Sequence, residues 1–126
     1  MKSIEWLAGL LEGEGCFSDM RSGPGGKHRT PLISCWMTDG DVIEEAQAVI
    51  TEIGGRPAKI NSRIIKSGKT VYGVFITGLP AVKIMWAVLP HMGQRRSAKI
   101  LDIISSWNPV VYKDAIAFRK ELQEKL

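Results

Sequence analysis

The sequence predicts an α+β domain in which helices cover one face of an antiparallel four-stranded sheet. The chain has 126 residues, of which 44% are hydrophobic and 24% charged, an ordinary composition for a globular domain that buries a core. Helical and strand-like segments follow in the order α-β-β-α-β-β-α-α-α. Four strands in two hairpins would leave the second face of the sheet without helices, as an antiparallel sheet permits.

The first α-β-β unit begins with a helix over residues 3–13, because Ile4, Leu7 and Leu11 recur at helical spacing. We expect Gly15 to end it. Two strand-like segments then flank a basic, glycine-rich loop, which predicts a hairpin with a long tip. These strands are predicted at residues 16–22 and 30–38.

The second unit repeats this layout. A helix begins at Thr38 or Asp39 and ends at Gly54-Gly55, a pair typical of a helix C-terminus. A second hairpin turns at Ser67-Gly68-Lys69. Its strands are predicted at residues 57–66 and 70–77.

Three helices complete the chain, and prolines separate them. They are predicted from Gly78 to Leu89, from Gly93 to Trp107, and over residues 112–125. We interpret residues 1–126 as a single domain.

Composition excludes several classes of protein. The apolar runs are too short to span a membrane, and no signal peptide is evident. Cys16 and Cys35 lie in apolar, strand-like segments, so we expect reduced thiols in an intracellular protein. His28 and His91 stand alone, without the spacing of a zinc site.

The charge distribution indicates an anionic partner. The net charge is +4, and basic residues cluster at three places while acids concentrate elsewhere. Such segregation suits a nucleic-acid-binding face, although a solvated surface is an equally good explanation of charge alone. The clusters comprise Arg21, Lys27, His28 and Arg29; Arg56, Lys59, Arg63, Lys66 and Lys69; and Arg95, Arg96 and Lys99.

The end of the first helix carries unusual chemistry. Gly9 and Gly13 lie four apart on one helix face, which would let a second helix approach closely. Glu12 and Glu14 follow, and Glu14 would project where backbone carbonyls are unpaired. Oxygen ligands of this kind suit a hard divalent cation. The simpler alternative, which the residues alone favour, is a pair of exposed acids beside a glycine cap.

Residues 7–15 read LAGLLEGEG and are followed by Cys16-Phe17. This stretch resembles the LAGLIDADG motif of the homing endonucleases. It differs by Leu at 11, Glu at 12 and 14, and Gly at 13, and both acidic positions keep a carboxylate. Residues 90–99 resemble the segment that carries the family's basic active-site residue. The resemblance covers about residues 3–107.

The resemblance implies an αββαββα fold and a site-specific, Mg²⁺-dependent endonuclease that cuts double-stranded DNA. Glu14 would be the metal ligand, assisted by the carbonyl of Gly13. Because the sequence contains one motif, we expect a homodimer on a long, roughly palindromic target, with two Glu14 side chains meeting at the two-fold axis. The implied dimer interface comprises Leu7, Ala8, Gly9, Glu12 and Gly13.

Basic side chains would stabilise the negative charge that develops during phosphodiester cleavage. Arg95 or Arg96 best fits the family's basic residue, and Lys99 lies one helical turn further on; plain phosphate contact is the alternative for each. Asp39 falls where the family places a polar residue near the scissile phosphate, although a helix N-cap is the favoured interpretation.

The open sheet face would then enter the major groove of DNA. Alternation along the strands selects the outward side chains, and a register error of one residue would reverse them. Lys27, His28 and Arg29 at the hairpin tip are expected to contact phosphates. The expected contacts on the strands are Cys16, Ser18, Met20, Ser22, Thr30, Leu32, Ser34, Trp36, Lys59, Asn61, Arg63 and Tyr72, with Thr70 and Val74 beside Tyr72.

Two alternatives remain open at this stage. One is a protein that binds without cutting, either an RNA maturase acting on intron RNA or a DNA-binding relative. The other is a structural domain that matches the motif by chance. The presence of Glu14 favours the enzyme, because a pure binder has no need of that acid, and the repeated layout disfavours a chance match.

Overall fold

The computed structural model describes all 126 residues and has the predicted order of elements. It is an α+β fold with a four-stranded antiparallel sheet and five α-helices. The strands are β1 (Gly15–Ser22), β2 (His28–Met37), β3 (Lys59–Ile64) and β4 (Thr70–Thr77). The helices are α1 (Ile4–Glu14), α2 (Gly40–Gly54), α3 (Leu79–Val88), α4 (Gln94–Ser106) and α5 (Lys113–Lys125). Short 3₁₀ turns cover Pro24–Gly26 and Leu89–His91.

The two hairpins join through their second strands, which gives the sheet order β1-β2-β4-β3. In the first hairpin Gly15 faces Cys35 at one end and Ser22 faces His28 at the other. The start of β1 and the end of β2 therefore lie together, directly beside the C-terminus of α1. This end of the sheet carries the motif residues.

The core lies between the sheet and the helices. Phe17, Ile33 and Val74 point into it from the strands, and each is at most 4% exposed. The central helix α3 is almost wholly apolar and supplies five completely buried side chains: Ala81, Val82, Ile84, Met85 and Val88. Burial of each large aliphatic side chain contributes about 1.5–3 kcal/mol. No polar or charged residue is buried, so the polar chemistry is left to the surface.

The opposite sheet face carries no helix, as predicted. Buried positions alternate with exposed or half-buried ones over residues 15–18 of β1 and 31–36 of β2. The exposed or half-buried set forms a continuous surface across the strands, because directly paired residues project to the same side. We call this surface the open face.

The register of the second hairpin corrects one part of the prediction. Ile60 pairs with Val74, and Ser62 pairs with Tyr72, so these four residues share the helix-covered side. The ring of Tyr72 lies 3.2 Å from where a Cβ at Gly40 would sit. The expectation that Tyr72 lies on the open face, with Thr70 and Val74 beside it, is therefore wrong. Val71, Gly73, Phe75 and Thr77 occupy the open-face positions of β4 instead.

Several element ends differ from the predicted ones. β3 is shorter than predicted at both ends, and β2 begins at His28 rather than at residue 30. The tip of the first hairpin is correspondingly compact. No helix of the structure combines the length and apolar character needed to cross a lipid bilayer.

Candidate functional site

The junction between α1 and β1 has no room for a side chain at Gly15. A Cβ there would lie 2.7 Å from the carbonyl oxygen of Leu11 and 2.8 Å from its Cα. The Gly15 N–H donates to that same carbonyl, and the backbone then continues directly as a strand. Glycine therefore allows the chain to pass from helix to sheet without a connecting loop. Glu14 is the last helical residue, immediately before the sheet.

Glu14 is exposed at this junction, and its charge acts on the buried thiol of Cys35. Burial raises the pKa of the Cys35 thiol to about 11, and the nearby Glu14 carboxylate adds to the rise. Cys35 pairs with Gly15 across the sheet. The carboxylate thus lies at the end of the sheet where β1 begins and β2 ends.

Arg96 of α4 reaches into this junction from the far end of the sequence. Its Nη1 donates a 2.6 Å hydrogen bond to the carbonyl of Gly15. Its Nε lies 3.7 Å from Oε2 of Glu12, and the guanidinium carbon lies 6.0 Å from the centre of the Phe17 ring. The Arg96 side chain is 18% exposed. It is the only one of the three predicted basic residues with partners inside the protein.

A pocket of about 360 Å³ opens at the same place. It is lined by Gly15, Cys16, Phe17, Arg95, Arg96 and Lys99. Arg95 and Lys99 are exposed and lie one helical turn apart on α4. Three cations and no carboxylate line this pocket, so it is suited to an anion such as a phosphate.

Two oxygen-bearing groups at the junction have the chemistry of metal ligands. No group of three or more His, Cys, Asp or Glu side chains converges anywhere in the chain. Mg²⁺, however, commonly binds one or two carboxylates and takes its other ligands from water and phosphate. Glu14, with the carbonyl of the exposed Gly13, fits that requirement, whereas the Gly15 carbonyl already accepts from Arg96.

Asp39 lies two residues beyond the end of β2, near the same end of the sheet. It occupies the N-cap position of α2, as the favoured interpretation predicts, but its side chain makes no capping hydrogen bond. Its backbone carbonyl accepts from the N–H of Ile43, and its carboxylate is exposed. The side chain therefore remains free for a solvent or substrate contact.

The open face has an aromatic centre. Trp36 lies flat over Gly73, where a Cβ would overlap the indole ring. The guanidinium of Arg63 lies 4.5 Å from the Trp36 ring centre, and Phe75 stacks beside it at 6.5 Å. The sequence pattern predicts Trp36 and Arg63 on this face but not Gly73 and Phe75. Only the correct register of β4 identifies those two residues.

Around this centre, the structure places ten of the predicted strand contacts on the open face together with the exposed Cys16. Their pairings put the whole set on one side of the sheet. The ten residues are Ser18, Met20, Ser22, Thr30, Leu32, Ser34, Trp36, Lys59, Asn61 and Arg63.

The hairpin tip differs from the expectation at one position. Lys27 and His28 are exposed, as expected of phosphate contacts. Arg29 instead lies on the helix-covered side, where its Nη2 is 2.5 Å from Oδ2 of Asp19. The Asp19 side chain is only 14% exposed. The charge of Arg29 is therefore paired within the protein, and Arg29 does not belong to the free cations of the tip.

The outer side of α1 is available to a partner. Gly9 and Gly13 are exposed, and no atom lies within 4 Å of a Cβ placed at either one. Half-buried Trp6 and Leu10 and exposed Glu12 flank this glycine face. Leu7 and Ala8 are different, because they are 0% and 1% exposed against the chain's own core. Their expected place in a dimer interface is wrong, because they lie on the opposite side of the helix.

No protein-family model and no curated protein matches this chain. Solved structures do match it. LAGLIDADG homing endonuclease I-GzeII, in complex with its DNA target, superposes with a TM-score of 0.53 at 14% identity. Archaeal intron-encoded homing endonuclease I-Vdi141I, complexed with DNA, gives 0.54 at 12%. This chain has the LAGLIDADG homing endonuclease fold.

The extent of these matches differs. The LAGLIDADG fold of this chain aligns over 96% of its own length and 96% of I-Vdi141I. It aligns over 97% of its length and 92% of I-CvuI, whose complex with the I-CreI target and Mg contains uncleaved DNA, with a TM-score of 0.50 and 12% identity. All of this chain aligns with only 49% of I-GzeII. At these identities the likeness shows the fold.

Proposed function

We propose that this chain is a site-specific endonuclease that cuts double-stranded DNA with Mg²⁺ as a homodimer, on a long and roughly palindromic target. Residues 1–126 would act as one domain. The observation that carries the proposal is the position of Glu14, at a helix end that opens on a pocket with three cations and adjoins a helix-free sheet face. The DNA-bound LAGLIDADG structures of the same fold support it.

In this proposal the open face enters the major groove. Asn61 and Arg63 carry side chains that pair naturally with adenine and guanine, respectively. The exposed Lys27 and Lys59 would neutralise phosphates and fix the register of the protein on the duplex. The sheet would thus contact the DNA bases, while the end of α1 would lie at the DNA phosphate backbone.

The glycine face of α1 would form the two-fold interface. Gly9 and Gly13 have open space above their backbone, so a second α1 could approach closely with Trp6 and Leu10 at its border. This packing would bring two Glu14 side chains together. Each protomer would contribute one carboxylate and one cationic pocket to a site completed by its partner.

Glu14, with the Gly13 carbonyl, would hold Mg²⁺ in this site. When bound, the ion supplies a Lewis acid and lowers the pKa of a water ligand. Arg95 and Lys99 would bind the scissile phosphate and stabilise its growing negative charge. The free carboxylate of Asp39 would accept a proton or hold a water at the same end of the sheet.

The direct test is digestion of a genomic or randomised DNA library with Mg²⁺ and with EDTA. Glu14→Gln removes the metal ligand, and Glu52→Gln is a matched control at an exposed position of α2. We expect discrete double-strand cuts that require Mg²⁺, persist in the control and disappear in Glu14→Gln. Cuts that survive in Glu14→Gln would exclude the assigned role of that carboxylate.

A second candidate is an RNA maturase, and the aromatic centre of the open face favours it. Phe75 could stack an unpaired base, and Trp36 could do so after Arg63 leaves its ring, as aromatic side chains of RNA-binding sheets do. Tight, salt-sensitive DNA binding without any cuts would direct the next assay to intron RNA.

A further inference from the structure

We propose that Arg96 is a positioning residue that fixes Glu14 at the α1–β1 junction, and that it does not bind the scissile phosphate. The inference deepens the proposed function and rests on it. It divides the three basic residues of the pocket into one structural clamp, Arg96, and two free cations, Arg95 and Lys99.

The contacts of the three side chains differ in kind. Arg96 donates from Nη1 to the Gly15 carbonyl, directs Nε toward Glu12, and places its guanidinium carbon over the Phe17 ring. These contacts leave its side chain 18% exposed. Arg95 and Lys99 are exposed and make no hydrogen bond, ion pair or aromatic contact. The free cations are thus the ones that a phosphate can reach without breaking an interaction within the protein.

The partners of Arg96 bracket the metal-binding carboxylate. Glu12 precedes Glu14 by two residues, and Gly15 follows it directly. The 2.6 Å bond holds the carbonyl of Gly15, one residue beyond Glu14, and the 3.7 Å ion pair links Arg96 to Glu12 in the last turn of α1. Gly15 is packed against the Leu11 backbone on its other side. Loss of Arg96 would therefore leave the Gly15 carbonyl without its side-chain donor.

Lysine could not replace this arginine. Its ammonium is a single point of charge, whereas the fork of arginine donates in fixed directions and stacks on an aromatic ring. Arg96→Lys would therefore keep the charge of the pocket and lose the clamp. This separates positioning from phosphate neutralisation, because neutralisation needs only the charge.

The first measurement is amide hydrogen exchange in the free protein, which needs neither DNA nor metal. We expect Arg96→Gln and Arg96→Lys to accelerate exchange in residues 12–17. Arg95→Gln should leave exchange there unchanged. Thermal unfolding of each variant reports whether the effect is local, and Arg96→Lys gives the decisive comparison if Arg96→Gln is globally unstable.

The second measurement separates DNA binding from metal use. Removal of a direct hydrogen-bond partner of a metal ligand commonly weakens metal binding about 10–100-fold. Arg96 holds the residues on either side of Glu14 and not its carboxylate, so both Arg96 variants should raise the Mg²⁺ concentration for half-maximal cleavage by at most that factor, with the salt dependence of DNA binding unchanged. Arg95→Gln should instead reduce the slope of log affinity against log salt by about 0.9 for each phosphate that the variant no longer neutralises.

Two results would overturn the inference. One is normal exchange in residues 12–17 of both Arg96 variants. The other is a reduced salt slope in Arg96→Gln that Arg96→Lys restores, which would identify Arg96 as a phosphate-binding residue. If the wild type binds DNA and never cuts it, the proposed function fails, while the exchange experiment still decides whether Arg96 clamps the junction.

Discussion

At the scale of single residues, the functional surface depends on two glycines that have no space for a side chain. Gly15 lets β1 begin directly after Glu14, and Gly73 lets the indole of Trp36 lie against the β4 backbone. Trp36 in turn supports the guanidinium of Arg63 from below. The shape of the open face therefore depends on the lack of a side chain at Gly73 as well as on the side chains of Trp36 and Arg63.

Gly73→Ala should tilt Trp36 and release Arg63. Overpacking of this kind typically lowers the free energy of unfolding by about 1–3 kcal/mol. Outward movement of the half-buried Trp36 ring would reduce that loss. We expect a lower free energy of unfolding, altered tryptophan fluorescence and weaker DNA binding. Wild-type fluorescence and stability in this variant would show that the ring does not rest on Gly73.

Cys35 makes the free energy of unfolding depend on pH in the alkaline range. Its pKa is raised from 9.0 to about 11 in the folded state, so the native state retains a proton that the unfolded state loses. The stability from this difference is complete below about pH 9 and is lost as pH rises toward about 11. Denaturant unfolding between these values should show a smaller decline for Cys35→Ala than for wild type.

Cys16→Ala is the matched control, because Cys16 is exposed on the open face. Each of the two variants lacks one thiol, and only Cys35→Ala lacks the buried one. An identical pH dependence in Cys35→Ala and Cys16→Ala would contradict the assignment.

At the scale of elements, one side of α1 is buried in the core and the other faces solvent. Leu7 and Leu11 are completely buried and anchor the helix to the core. Gly9 and Gly13 face solvent with nothing above them. Glycine inside a helix is destabilising by about 0.5–1 kcal/mol relative to alanine, so two of them on an exposed face are a cost to the isolated chain.

Gly9→Ala should therefore stabilise an isolated chain and weaken its dimer. We expect a monomer that is more stable by about 0.5–1 kcal/mol, because the substitution meets no atom within 4 Å. Sedimentation velocity over a range of concentrations would measure the weakening of the dimer. Glu52→Ala, at an exposed position of α2 away from the glycine face, is a useful comparison. Unchanged association in Gly9→Ala would exclude the glycine face as the interface.

At the scale of the whole molecule, the proposed function assigns sequence reading to the open face of the sheet and charge neutralisation to the tip of the first hairpin. Asn61 lies on the open face, whereas Lys27 lies at the tip of the first hairpin. Asn61→Ala should relax the preference at one base pair by about 1–3 kcal/mol. Lys27→Gln should weaken binding to all sequences alike and reduce the salt slope by about 0.9. Binding-site selection at two salt concentrations distinguishes these outcomes.

Sequence periodicity predicts the order of the elements because burial on one side imposes period 2 on strands and 3.6 on helices. It cannot place Tyr72, because the register of the second hairpin depends on a loop closed by Ile65 N–H donating to Lys69. The position of Glu14 at the end of α1 is predictable from a local motif. The contacts of Arg96 are not, because its main partner, Gly15, is 81 residues distant in sequence.

The direct passage from α1 to β1 has a mechanical consequence. A flexible loop at this point would let the sheet shift on an imperfect target while the acid stayed in place. Glu14 and Gly15 are adjacent, and the peptide between them is packed on Leu11, so we expect the strand and the acid to move together. In the proposed function, a mismatched target that tilts the first hairpin would also displace the Glu14 carboxylate from the scissile phosphate. Cleavage would then be more selective for the target sequence than binding is, without a separate proofreading element.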